Sequence, residues 1–169
     1  MIFVTVGTHE QQFNRLIEAV DNLKKNEIIK EEVIVQTGFS TYTPVLCQSK
    51  SLFSYEEMIQ NIKEARIIIT HGGPSTFIMP LQIGKIPIVV PRQKRYGEHV
   101  NNHQVQFVEE VEKRQGNIIV VKDIEQLGNI ITSYDKIVAE RKNTASSNNQ
   151  QFCAKLEEIV SSMFDNADI

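Results

Sequence analysis

The sequence predicts a doubly wound, Rossmann-like α/β fold built on a parallel sheet. Short apolar runs of strand length recur along the chain: Ile2–Val6, Val33–Val35, Arg66–Thr70, Pro87–Pro91 and Ile118–Val121. Between them lie segments whose apolar residues repeat at helical spacing, the pattern of βαβ units. Polar, glycine-containing clusters follow the ends of these runs, most clearly His71-Gly72-Gly73-Pro74-Ser75-Thr76 after Arg66–Thr70. In an open parallel sheet the carboxyl ends of the strands are where ligands bind.

The elements follow in order. Ile2–Val6 is an apolar run closed by Gly7-Thr8-His9, and Gln11–Lys24 carries Phe13, Leu16, Ile17 and Val20 at helical spacing. This is a strand, a tight turn and a helix, with too few glycines for a dinucleotide fingerprint. Val33–Val35 is the second strand and ends in Thr37-Gly38-Phe39-Ser40; Tyr42–Lys50 reads as irregular, with a short strand expected near Leu52-Phe53. Ser54 and Glu57 form a capping box for a helix to Ala65 that buries Met58, Ile59 and Ile62. After the strand Arg66–Thr70 and its glycine turn, a short helix runs into Gly84-Lys85. The strand Pro87–Pro91 leads to a polar loop, Arg92–Gly97, and to a helix expected from Glu98 to Arg114 with Val100, Val105, Phe107, Val108 and Val111 buried; Gly116 stops it. Asp123 caps a helix through Leu127, Ile130 and Ile131 towards Glu140. Residues 1–142 thus form one domain. Asn143–Asn149 is a polar hinge, and residues 150–169 are an amphipathic helix with Phe152, Leu156, Ile159, Val160 and Phe164, a candidate docking element for a partner.

Composition narrows the function. A chain of 169 residues with 41% hydrophobic and 23% charged content is an ordinary single domain. A net charge of −3 argues against a nucleic-acid partner, which would select a basic face. Cys47 and Cys153 are far apart and read as reduced thiols. Residues 1–6 do not form a signal peptide, and no apolar run approaches the ~20 residues of a membrane span. The expectation is a cytoplasmic protein, with any membrane association supplied by a partner or a surface patch.

Two clusters carry chemistry. At His71–Thr76, two glycines precede a helix start, where backbone N–H groups and the helix dipole favour an anion. Ser75 and Thr76 can cap that helix and also reach a phosphate. Arg92, with Lys94 and Arg95, could neutralise a diphosphate, although a solvated basic loop serves equally well for the last two. Asn102, His103 and Gln104 offer donors and acceptors suited to sugar hydroxyls. His99 and His103 have the spacing of metal ligands on a helix, but no HExxH arrangement or third ligand accompanies them, so no metal is expected. Ser75 lacks the elbow motif of a Ser/His/Asp hydrolase.

Taken in order, the motifs Phe3-Val4-Thr5-Val6-Gly7-Thr8, Gln36-Thr37-Gly38, Thr70–Thr76, Gly84–Arg92 and Glu98–Gln104 resemble the C-terminal, donor-binding half of GT-B glycosyltransferases of family 28. The likeness covers roughly Met1 to Val121. It is strongest to stand-alone small subunits of dolichol-linked N-acetylglucosamine transferases and of capsule or exopolysaccharide transferases. The resemblance implies a UDP-sugar as substrate and neither cofactor nor metal. Gly7, Thr8, His71, Gly72, Gly73, Ser75, Thr76 and Arg92 would hold the diphosphate. Gly38, Leu52, Phe53, Ser54 and Met58 would line the uridine pocket, and Glu98, Asn102, His103 and Gln104 would meet the transferred sugar. His9 is a candidate catalytic base, the base otherwise coming from a membrane-associated partner subunit that holds a lipid-linked saccharide acceptor. One departure stands out: Ile78-Met79-Pro80 occupies the place where such proteins commonly have an acidic residue for the ribose, and Pro80 could kink the helix. Met79 would favour a non-catalytic enhancer subunit, and a different small enzyme, such as a sugar-nucleotide epimerase or a phosphate-ester hydrolase, is the other alternative.

Overall fold

A computed structural model describes residues 1–141, 153–155 and 157–158. Six parallel strands, β1 (Ile2–Thr5), β2 (Val33–Gln36), β3 (Gln48–Lys50), β4 (Ile67–His71), β5 (Ile88–Val90) and β6 (Ile119–Val120), form one sheet in the order β3-β2-β1-β4-β5-β6. The chain winds outward from β1 to one edge, then returns to place β4 on the other side of β1. The topological switch point therefore lies between β1 and β4, which pair through Ile2↔Ile67 to Thr5↔Thr70.

Alternation along β1 separates two cores. Ile2, Val4 and Val6 join Phe13, Leu16, Ile17 and Val20, the apolar stripe at the start of α1 (Asn14–Lys25). Phe3 points the other way and packs with Ile68 of β4 and with Ile62 and Ala65 at the end of α2 (Tyr55–Glu64). The remaining helices are α3 (Pro74–Gln82), α4 (His103–Gln115), α5 (Leu127–Thr132) and α6 (Tyr134–Arg141). The capping box is present: Glu57 N–H donates to Ser54 Oγ at 3.2 Å, and Ser54 N–H donates to Glu57 Oε2 at 2.7 Å.

Several boundaries differ from the sequence expectation. The third strand is not at Leu52-Phe53 but at Gln48–Lys50, an exposed polar edge with no apolar signature. Such an edge resists pairing with other chains. The helix expected from Glu98 begins only at His103, because side chains in residues 98–102 take up the backbone groups that a helix would use. Asn101 Oδ1 accepts from His103 N–H at 3.0 Å, and His99 Nδ1 accepts from Asn101 N–H at 3.4 Å. Val100, expected to be buried, is 67% exposed as a result. Asp123 caps a 3₁₀ turn, Ile124–Gln126, and the following helix divides into α5 and α6. Pro80 lies inside α3, which continues past it to Gln82. The hinge at 143–149 lies outside the described residues, as does most of the helix expected at 150–169; residues 153–155 and 157–158 are helical and exposed.

Candidate functional site

The turn after β1 and the turn after β4 face each other across the switch point, and His71 fills the space between them. A Cβ added at Gly7 would lie 2.2 Å from His71 Nε2, and one added at Gly73 would lie 2.2 Å from His71 Cε1. Two glycines therefore clasp the imidazole, and no side chain fits at either position. Gly7 also needs glycine for its backbone, at φ +75°. Polar strand ends fix the Gly7 turn: its N–H donates to Thr5 Oγ1 at 3.2 Å, and its carbonyl accepts from Gln36 Nε2 at 3.3 Å. The next turn closes on the first, since a Cβ at Gly38 would sit 2.7 Å from Gly7 O.

His71 is 8% exposed. Burial, followed by the charge of Arg92, pushes its pKa down to about 4, against a favourable contact with the Gln104 side chain. Its Nδ1 accepts from Gly73 N–H at 3.0 Å. A backbone N–H can only donate, so the neutral imidazole carries its proton on Nε2. The site thus contains a neutral, fixed ring at the N-terminus of α3, where the helix dipole favours an anion although Thr76 N–H is turned to Gly73 O at 3.1 Å. Gln104 completes this wall: its Oε1 accepts from Arg92 N–H at 3.1 Å, and its Cβ lies 3.0 Å from the position a Cβ would take on Gly72.

Other expected residues fall into three groups. Thr8, His9 and Ser75 are exposed at the mouth, as are Asn102 and His103; His103 stacks on Phe107 with ring centroids 6.2 Å apart. Next to Gly38, whose N–H donates to Ser51 O at 2.9 Å, the segment Leu52–Ser54 forms a flank. Phe53 there packs edge-on against Phe3 at 5.9 Å, while Met58 sits deeper, against the Phe3 cluster. Met79 packs against that same cluster.

Three expected ligand residues are turned to structural tasks. Arg92 is fully buried, not poised over a phosphate; its guanidinium donates to the carbonyls of Val6, Gln11, Gln12 and Glu98 and lies 4.8 Å from the centroid of Phe13. Glu98, expected to meet a sugar, is likewise buried: it accepts both arms of Arg15, at 2.8 and 2.9 Å, and Gln93 N–H at 2.9 Å. Thr76 turns its hydroxyl to Gly73 O at 2.8 Å, a capping contact within its own turn. The sequence reading also missed residues that hold the turns. Thr5 and Gln36 stand in register on neighbouring strands, and polar residues ending apolar runs were the available signal. His99, weighed only as a metal ligand, instead lies against His9, with ring centroids 5.3 Å apart. Among the described residues, no group of three or more His, Cys, Asp or Glu could hold a metal ion, and no helix is long and apolar enough to cross a membrane.

A doubly wound parallel sheet with facing glycine turns at its switch point defines a ligand-binding α/β domain of the nucleotide-binding kind. More particularly, the chain belongs to the glycosyltransferase family 28 C-terminal domain family, which it matches over residues 1–163. It is 31% identical over 121 residues to the human UDP-N-acetylglucosamine transferase subunit ALG13, aligning 66% of this chain with 10% of that protein. It is 29% identical over 99 residues to the subunit of the same name from Yarrowia lipolytica, aligning 59% of this chain with 41% of the relative. The chain thus spans well under half the length of these relatives. Among solved structures, Acinetobacter baumannii MurG superposes with a TM-score of 0.57 at 17% identity, covering 90% of this chain and 48% of that one. The glycotransferase of kitacinnamycin gives 0.59 at 17% identity, covering 84% and 37%. These likenesses establish a shared glycosyltransferase-type fold.

Proposed function

We propose that the chain is the donor-binding catalytic subunit of a UDP-sugar-dependent, inverting hexosyltransferase that transfers galactose, glucose or N-acetylglucosamine. It acts with a separate membrane-associated subunit that holds a lipid-linked saccharide acceptor, in polysaccharide biosynthesis at the cytoplasmic face of a membrane. The observation that carries this reading is the clasp of His71 between Gly7 and Gly73 at the switch point. The names of the relatives, each a transferase subunit, support the need for a partner. In the reaction an acceptor hydroxyl attacks the anomeric carbon and gives its proton to a base supplied by the partner subunit, the bond from that carbon to the diphosphate breaks, and UDP departs with the electron pair. The N–H groups of Gly72 and Ser75 would meet the developing charge, since Gly73 N–H is engaged by His71 and Pro74 has none, and the reading needs no resident metal. Leu52, Phe53 and Gly38 flank the uridine, and Gln104 and His103 face the sugar.

Calorimetric titration of the chain with UDP, then with a panel of UDP-hexoses, tests this. Saturable UDP binding lost in His71→Ala, with a sugar-dependent loss in Gln104→Ala, is the expected result. Absence of UDP binding both alone and with the co-expressed partner would sink it. A non-catalytic enhancer subunit is the second reading, favoured by Met79, whose packing on the Phe3 cluster leaves no carboxylate for the ribose. Donor turnover by the assembled pair separates the two.

A further inference from the structure

We propose that His9 and His99 act as a pair of Nε2–H donors to the departing diphosphate, and that His9 is therefore not the general base. The inference rests on the donor-subunit reading above.

Three of the chain's four histidines share one local device: each ring accepts, through Nδ1, the backbone N–H two residues further on. For His9 the donor is Gln11 N–H at 3.2 Å, for His71 it is Gly73 N–H at 3.0 Å, and for His99 it is Asn101 N–H at 3.4 Å. An amide N–H supplies a proton and cannot receive one. Each Nδ1 must therefore present its lone pair to the backbone, and the neutral ring must carry its proton on Nε2. A general base needs a lone pair on the atom that faces the substrate. In His9 and His99 that lone pair is already engaged, and the remaining polar atom of each ring is an N–H.

The two rings come from different loops. His9 follows β1, while His99 precedes α4, and their centroids are 5.3 Å apart at an interplanar angle of 39°. Both lie within electrostatic reach of the buried His71. The carboxylate nearest in sequence to His99, Glu98, faces Arg15 and Gln93 instead. Two adjoining rings that each carry a proton on Nε2 suit a leaving group that accumulates negative charge as its bond breaks.

The test titrates the full chain with UDP and with uridine, comparing His9→Leu, His9→Gln, His99→Leu and His99→Gln after confirming unchanged melting temperatures. A glutamine amide can present an N–H close to where Nε2–H lies, whereas leucine cannot. Each leucine variant should lose UDP affinity by about tenfold, the low end for losing one hydrogen bond to a charged group, with uridine affinity unchanged and most of the loss restored by glutamine. Leucine variants that bind UDP as the wild type does would overturn the proposal, and so would glutamine variants as weak as leucine. Nitrogen-15 shifts of the imidazoles at neutral pH give a second readout, and an Nδ1-protonated His9 or His99 would overturn it independently. A wild-type chain that binds no UDP, alone or with its partner, would remove the underlying reading as well; intact UDP binding that is insensitive to both histidines would remove this inference alone.

Discussion

His71 Nε2 lies where the side chain of any residue other than glycine at position 7 would begin, 2.2 Å from an added Cβ. The two residues are 64 apart in sequence, yet the pairing of β1 with β4 brings their turns into contact. Gly7→Ala should therefore act twice. The left-handed backbone at φ +75° becomes strained, at about 1–3 kcal/mol, and the imidazole is pushed out of its clasp. Urea denaturation should show the stability loss, and calorimetry should show UDP affinity falling at least as far as in His71→Ala.

The same burial makes His71 a stability sensor. Its pKa falls from 6.5 in the unfolded chain to about 4 in the folded one, so between these values the unfolded state binds more protons. Stability then rises with pH across the window: the contribution is fully present above pH 6.5 and is lost as pH drops towards 4. Its size is roughly 3 kcal/mol, the free-energy equivalent of a shift of that order. His71→Asn should flatten this part of the stability profile, measured by urea denaturation at pH 7.5, 6, 5 and 4.5.

Arg15 and Glu98 form a buried, two-pronged pair, their side chains 12% and 0% exposed. Removing one partner leaves the other charge buried without compensation. Glu98→Ala should cost about 3–5 kcal/mol, shown by thermal or urea unfolding. Arg92→Lys should also be damaging, because one ammonium cannot replace a planar fork that reaches four carbonyls. If instead Glu98 serves the sugar, its loss will leave stability untouched and lower affinity only for UDP-hexoses.

Ser54 separates a capping role from a ligand role. Ser54→Ala should cost about 1 kcal/mol in unfolding experiments, while Ser54→Asp keeps an acceptor for Glu57 N–H and stays close to wild type. UDP affinity that drops equally in both variants would show that the hydroxyl also serves the uridine.

Arg92 and Glu98 show where the sequence stopped being legible. Both looked like ligand residues, because a basic or acidic residue after a strand, next to a helix start, has that appearance locally. Their partners lie far away: Arg15 is 83 residues from Glu98, and Val6 is 86 residues from Arg92. No periodicity or short motif encodes such a meeting. The place of His99 was missed for a related reason. Its spacing from His103 suggested one helical face, but the helix starts at His103, leaving His99 free to turn towards His9.

The sequence alone determined the α/β class, five of the six strand positions and the capping box, because each depends on local periodicity or on residues a few positions apart. It also marked the glycine turns at Gly7, Gly38 and His71–Gly73. The tertiary structure decided which of these turns face each other, which charged side chains point inward and which nitrogen of His9, His71 and His99 holds the proton. Those outcomes depend on the strand order β3-β2-β1-β4-β5-β6, which sets residues far apart in sequence within hydrogen-bonding distance. Hydrogen bonds and burial act through space, and only the folded chain fixes what lies within their short reach.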